Sequence, residues 1–313
     1  MSENLLEDTL YIVALEEAHL RLDEFVHKQE ALMPIAAIRR AIEAGNVLVN
    51  NLHRSSGWRV RVNDQISVKL SSHRHLEIQA ENVGLEILYE DEFLIVVNKP
   101  PGMISHPSRH ERTGTLLNAL LYHSLKQGEK NPRLGLVHRL DRDTSGILLV
   151  SKKEKALQRL AQQFDQRQVK KFYQAVVFGL LKDDSGEVNA PIGWATTASP
   201  HWGVRQENSK HAYTTYQVKL RINNFSWVEL QPHTGRTHQL RVHMSHIGHP
   251  IVGDLLYGLE SNQIWQGQNL RYKLPRQLLH ASTLIFNHPI NNEQITLSAP
   301  IPRDIQDFIE FNQ

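Results

Sequence analysis

Gly135-Leu136-Val137-His138-Arg139-Leu140-Asp141-Arg142-Asp143-Thr144-Ser145-Gly146 runs without a break into Ile147-Leu148-Leu149-Val150-Ser151, and this stretch decides how the larger part of the chain is read. Its first half sets two carboxylates and two guanidiniums in a compact polar turn. Four charges in a loop ordinarily make a solvated turn, because exposed ion pairs contribute only about 0–1 kcal/mol. Its second half has the length and composition of a buried strand. The charged residues are therefore expected at the edge of a sheet, on the rigid support that reacting groups require.

Working outward, the chain has 313 residues, 40% of them hydrophobic, enough for one large domain and a small one. The absence of cysteine excludes disulfides, thiolate metal sites and cysteine nucleophiles, and agrees with a reducing compartment. The N-terminus has neither the basic start nor the apolar core of a secretory signal. No run approaches the roughly 20 apolar residues of a membrane span, so a cytoplasmic protein is expected. The formal charge of +2 is nearly neutral, yet it is unevenly spread. Residues 1–18 hold five acids and no Lys or Arg, whereas residues 19–75 hold nine basic against five acidic residues. A basic segment on a balanced chain is either a solvated surface or a footprint for phosphates.

Within that segment, Leu22, Phe25 and Val26 share a face at helical spacing. Pro34 is placed to open a second helix. There Ile35, Ile38 and Ile42 point inward and Arg39, Arg40 and Glu43 outward, and Gly45 ends it. Val47-Leu48-Val49, a turn at Asn50-Asn51 and Gln65-Ile66-Ser67-Val68 follow as short strands. The signature Arg21-Leu22-Asp23, then Arg39-Arg40, then Gly45-Asn46-Val47-Leu48-Val49-Asn50 resembles the S-four type of RNA-binding domain, over residues 19–75. That resemblance implies that Arg39, Arg40 and the strand-borne Arg59 and Arg61 meet RNA phosphates, contacts that orient rather than read sequence. A surface pairing of Arg39 with Glu43 at i+4 is the competing reading.

Residues 76–84 read as the end of a polar linker, and a second domain is expected over 85–303. Leu85 to Val97 has the pattern of a β-hairpin ending in Asn98-Lys99-Pro100-Pro101-Gly102. Thr115 to Leu121 reads as a buried helix, and Ala156, Leu157, Leu160, Ala161 and Phe164 as the stripe of another. Gln168 to Val177 is a strand carrying Tyr173. Ala212 to Arg221 and Phe225 to Leu230 are paired strands. Thr234-Gly235-Arg236-Thr237-His238-Gln239-Leu240-Arg241-Val242-His243 then makes a turn and a helix, with Thr237 placed to cap it and Leu240 and Met244 inward. Strands at 278–286 and 294–297 close the sheet.

The central stretch, the Asn98-Lys99-Pro100 segment and the Thr234–His243 segment together resemble the RluA-type RNA pseudouridine synthases, and the resemblance spans residues 19–303. It implies an α+β architecture: a small N-terminal αα-β RNA-binding domain, then a mixed, mainly antiparallel-sheet synthase core. It further implies isomerisation of uridine to pseudouridine in structured RNA by a monomer without cofactor or metal. In this resemblance Asp141 is the catalytic carboxylate, Arg236 pairs with it, and Tyr173 stacks on the target base. Arg139 fills the space that the flipped uridine leaves. From the residues alone, Tyr173 also reads as a core tyrosine, and His138 as a hydrogen-bonding turn residue. An S-four module ahead of this core points to large-subunit ribosomal RNA, with transfer RNA the alternative.

Two readings compete with a synthase. One is an RNA-binding protein without catalysis, for which the first module alone would suffice. The other is a metal hydrolase, suggested by His233, His238, His243, His246 and His249. The spacing of those histidines is not His-Glu-x-x-His, and carboxylates are sparse among them, which argues against a metal.

Overall fold

The computed structural model describes residues 6–30, 35–71, 78–108, 111–195, 201–269 and 274–313. The chain forms two compact units, Met1–Glu77 and Ile78–Gln313. Its class is α+β.

The first unit contains β1 (Leu6–Ile12), α1 (Leu22–Gln29), α2 (Ile35–Glu43), β2 (Val47–Val49), β3 (Leu52–His53) and β4 (Gln65–Ser71). The strands lie in the order β1-β4-β2-β3, all antiparallel. Leu22, Phe25 and Val26 of α1 and Ile38 and Ile42 of α2 are fully buried against Val47, Val49, Ile66 and Val68. The helical spacing thus produces the core that it implies. Gly45, at φ +76°, stops α2 in the left-handed conformation that glycine adopts without steric cost. The expected helix start at Pro34 lies outside the described residues.

Strand β1 lies in the acidic lead, where the sequence carries no expectation of an element, and its Leu10 and Ile12 stay exposed. One expectation is corrected in this unit. Arg59 and Arg61 do not sit on a continuous strand. Arg59 makes a single antiparallel bridge to Arg21, and Arg61 begins a turn closed by Asp64 N–H and by Asn63 at φ +66°.

The second unit opens with β5 (Glu86–Glu90), β6 (Leu94–Lys99), α3 (Leu116–Lys126), β7 (Gly135–Leu136), β8 (Ser145–Ser151), α4 (Glu154–Asp165) and β9 (Lys170–Phe178). It continues with β10 (Ser185–Asn189), β11 (Ile192–Ala195), β12 (His201–Val204), β13 (Ser209–Lys210), β14 (Tyr213–Ile222), β15 (Phe225–Pro232) and α5 (Gln239–His246). It ends with α6 (Leu259–Gln268), β16 (Leu279–Asn287), β17 (Gln294–Ser298) and α7 (Arg303–Asn312). The main sheet runs β10-β14-β15-β9-β16-β8-β6-β5, with β17 beside β16 and β7 beside β8. Its pairings are antiparallel except β16 with β8.

Strands β6 and β8 carry unbroken apolar runs, Leu94–Val97 and Ile147–Val150, because both faces of the sheet are covered. Ile95, Val97, Leu148 and Val150 pack with Leu116 and Leu120 of α3 and with Leu240 and Met244 of α5. Leu94, Val96, Ile147 and Leu149 pack with Leu160 and Phe164 of α4. At the start of β8, Gly146 has φ +115°, and a Cβ there would lie 2.2 Å from the Ala281 carbonyl oxygen of β16. Only glycine lets the two strands approach where the polar turn joins the sheet. Among the described residues no helix is long and apolar enough to cross a membrane.

Candidate active site

The turn that carries Asp141 lies between β7 and β8 and is held by its backbone. Thr144 N–H donates to the Asp141 carbonyl at 3.2 Å. Lys99 is fully buried at the end of β6, and its Nζ donates to the carbonyls of Pro100, Met103 and Arg142 at 2.8, 2.9 and 2.9 Å. Burial, followed by the charge of Arg276, pushes the Lys99 ammonium down to about 7. Arg276 Nη1 donates to the Asp143 carbonyl at 3.0 Å, while its Nε is paired with Asp304 of α7 at 2.7 Å. Buried Lys99 and Arg276 therefore hold the Arg142 and Asp143 carbonyls, the two that directly follow Asp141, and fix the course of the turn.

Asp141 opens into a cleft of about 820 Å³ whose walls include Arg139, Tyr173, Arg236, His238 and Arg241. The structure thus brings Asp141, Tyr173, Arg236 and Arg139 to one cavity. Arg39, Arg40, Arg59 and Arg61 belong to the first unit.

The cation paired with Asp141 is Arg241, not Arg236. Arg241 Nη1 donates to Asp141 Oδ2 at 3.1 Å. The same guanidinium binds Asp254 through Nε at 2.6 Å and Nη2 at 3.0 Å. Asp254 is fully buried and also accepts the N–H groups of Leu256 and Tyr257 on Oδ1. Burial alone would lower the pKa of Arg241, but Asp254 and then Asp141 more than reverse this, so the guanidinium stays charged. Arg236 instead donates from Nε to the His211 carbonyl at 3.0 Å.

The physical reason lies in where the helix begins. Thr237 is not its cap; His238 is, in a left-handed conformation at φ +55° and without a capping side chain. The Gln239 side chain braces the turn ahead of the helix, accepting the Arg236 N–H at 3.0 Å and the Thr234 hydroxyl at 2.7 Å. Arg236 is thereby held in the turn, and Arg241 falls on the helix itself, where its side chain reaches the carboxylate. Sequence alone assigns no role to Arg241 or Asp254 and offers His238 only as one of the candidate metal ligands. The only available signals were that Arg241 shares a motif with Arg236 and that Asp254 follows Gly253 in a motif-like run.

His238 Nε2 stands 3.9 Å from Asp141 Oδ1, and its Nδ1 shares a 2.9 Å hydrogen bond with the Tyr257 hydroxyl. Burial lowers its pKa, against the opposing pull of Asp141. Tyr173, on β9, is buried among Ala175 and Val177 and lines the cleft as well, so its core and site readings are the same position. Burial and then the Asp141 charge raise its phenol above the ordinary range and keep it protonated. Arg139 is exposed on the cleft wall. His138 accepts the Leu149 N–H on Nε2 at 3.0 Å and stacks on Phe164 at 5.0 Å, and burial pushes its imidazole down to about 3. That ring fastens the turn to β8.

The histidines that suggested a metal are dispersed. His243 bonds Thr214 and the Ala190 carbonyl, His249 the Phe178 carbonyl, and His233 the Thr215 hydroxyl. Among the described residues no three metal-binding side chains form a group that could hold an ion.

Residues 93–246 match the family model described as RNA pseudouridylate synthase, and residues 20–66 match the S4 domain. A protein of Chlorobaculum parvum named as an RNA pseudouridine synthase is 38% identical over 312 residues, covering 95% of each chain. One of Neisseria meningitidis serogroup B, named ribosomal large subunit pseudouridine synthase D, is 37% identical over 298 residues, covering 94% of this chain and 79% of its own. The solved structure of human RNA pseudouridylate synthase domain containing 4 superposes with a TM-score of 0.59 at 28% identity, covering 71% of this chain and 90% of that one.

Proposed function

This chain belongs to the RNA pseudouridine synthase family, with an S4 domain ahead of the synthase core, and we propose that it acts on large-subunit ribosomal RNA with Asp141 as the reacting carboxylate. The observation that carries the residue assignment is the Arg241 Nη1–Asp141 Oδ2 pair at 3.1 Å inside the cleft. The ribosomal substrate is supported by relatives such as the Neisseria protein, whose name states it.

The reaction breaks the bond from uracil N1 to ribose C1′, turns the base, and joins C5 to C1′. C5 loses a proton and N1 gains one, so atoms and electrons balance without a redox partner. A carboxylate suffices as nucleophile or proton acceptor. Arg241, fixed from behind by Asp254, compensates the charge of Asp141 and sets the direction of Oδ2. A uridine stacked in structured RNA reaches the cleft by leaving the stack. In this reading Arg139, exposed in the cleft lining, fills the vacated space and the Tyr173 ring packs against the extruded base. Arg236, also in the cleft lining, serves in this reading as a cation for the RNA backbone.

Pseudouridine mapping of total RNA from cells lacking this gene tests the proposal, with complementation by wild type or by Asp141→Asn. Sites in large-subunit ribosomal RNA should vanish on deletion and return only with wild type. Sites lost from transfer RNA instead would redirect the substrate. Return of modification with Asp141→Asn would remove the carboxylate from its role.

A further inference from the structure

Asp23, in the first turn of α1, is a fully buried carboxylate, yet both of its side-chain partners reach the surface. Arg21 Nε donates to Oδ1 at 3.0 Å and Arg21 Nη2 to Oδ2 at 3.2 Å. Arg39 Nε, from α2, donates to the same Oδ2 at 2.7 Å. The side chains of Arg21 and Arg39 remain 40% and 48% exposed. One negative charge is thus shared by two guanidiniums, and the trio keeps a net charge of +1 at the surface. Asp23 uses neither Nη1 of Arg21 nor either Nη of Arg39, and a phosphate oxygen is the acceptor that such charged forks fit.

The surroundings extend this arrangement. Arg59 bridges Arg21 through the backbone and places its own guanidinium on the His19 carbonyl at 2.8 Å. Arg54 lies 4.2 Å from the centroid of the Trp58 ring. Gly57 lies beside the Arg21 guanidinium, whose Nη2 is 3.7 Å from where a Cβ would stand, an ordinary contact distance. Burial works against the charge of Asp23, but the hydrogen bonds from Arg21 and Arg39 overcome this and hold its carboxyl below the usual range.

We propose that Asp23 is a positioning residue for RNA binding: it presets the guanidiniums of Arg21 and Arg39 so that together they receive backbone phosphates. The proposal rests on the assignment of RNA as the substrate. It adds Arg21 to the phosphate-binding set and gives a buried acid a part in holding a polyanion. Long arginine side chains lose rotamer freedom when they bind, and a carboxylate that fixes both in advance removes part of that cost.

The two possible roles of Asp23 predict opposite signs. Asp23→Asn makes the unit one charge more positive, which by simple electrostatics tightens RNA binding. Loss of positioning weakens it. The test uses the full chain and an RNA hairpin of mixed sequence, because phosphate contacts do not depend on sequence, with Kd measured by anisotropy at several salt concentrations. For Asp23→Asn the expected result is binding weaker by about 10-fold, with a slope of log Kd against log salt shallower by about one to two, since each phosphate contact contributes about 0.7–0.9. Arg39→Lys keeps the charge but cannot reproduce the fork, and it should weaken binding by about 3- to 10-fold. Circular dichroism checks the fold of each variant, and if Asp23→Asn does not fold, Arg39→Lys decides. Equal or tighter binding by a folded variant overturns the proposal, as does failure of wild type to bind the hairpin. Turnover of in-vitro transcribed ribosomal RNA should keep its kcat and lose in KM. Absence of turnover by wild type would count against the ribosomal substrate and leave the hairpin comparison standing.

Discussion

Arg241 Nη1 donates to Asp141 Oδ2 at 3.1 Å, although the two residues are 100 positions apart in sequence. The same guanidinium is clamped by Asp254, so its direction is settled before any substrate arrives. Arg241→Lys should therefore lower the single-turnover rate of pseudouridine formation by about 100-fold or more, the size typical of losing one oriented donor in a closed site. Arg236→Lys should chiefly raise KM. Equal losses of rate in the two variants would undo this division of roles.

Asp254 offers an independent check on the same cluster. Asp254→Asn leaves Arg241 buried with half of its compensation, and removing one partner of a buried ion pair costs about 3–5 kcal/mol. Urea denaturation should show a destabilisation of about 3 kcal/mol, since Asp141 still shares the guanidinium. The rate should fall as Arg241 loses its fixed direction. A stable variant of wild-type rate would mean that Asp254 does not orient Arg241.

Gly146→Ala should be among the most damaging single changes in the second unit. The added methyl meets the Ala281 carbonyl at 2.2 Å, and φ +115° is strained for any side chain. A loss of about 4 kcal/mol or more, or failure to fold, is expected in chemical denaturation. Near-normal stability would show that β8 and β16 can separate at this point.

His138 predicts an acid limb. Its folded-state pKa of about 3 lies below the ordinary 6.5, so between these values the unfolded chain binds more protons and stability falls as pH falls. Protonation would also place a ring N–H against the Leu149 N–H that now donates to it. His138→Gln, whose carbonyl can accept that N–H, should be less stable than wild type at pH 7 and lose less stability between pH 6.5 and 4. Parallel stability curves for the two proteins would exclude His138 as a source of the acid limb.

Much of this architecture was legible in the linear pattern. The spacing of Leu22, Phe25, Val26, Ile38 and Ile42 marked the faces that form the core of the first unit, because a helix places those positions on one side. The apolar run from Ile147 to Val150 marked a strand covered on both faces, and β8 is buried throughout. Strand β1 was not legible: it gains its structure by pairing with β4, nearly 60 residues later, and leaves Leu10 and Ile12 exposed.

By itself the sequence determined the helices and strands that build the cores, the two-part organisation and the family, since each is written in residue type at short spacing. The tertiary structure alone decided which cation meets Asp141. Arg236 and Arg241 are five residues apart and chemically alike, and only the start of α5 after His238, with Asp254 folding in behind, separates a turn residue on the His211 carbonyl from the partner of the carboxylate. It likewise decided that Arg39 pairs with Asp23, 16 residues earlier, and not with Glu43 one turn along. Helical spacing says which side chains can be neighbours on one element. Which charges meet across elements depends on packing, because an ion pair forms where burial and geometry together offset the desolvation of both groups.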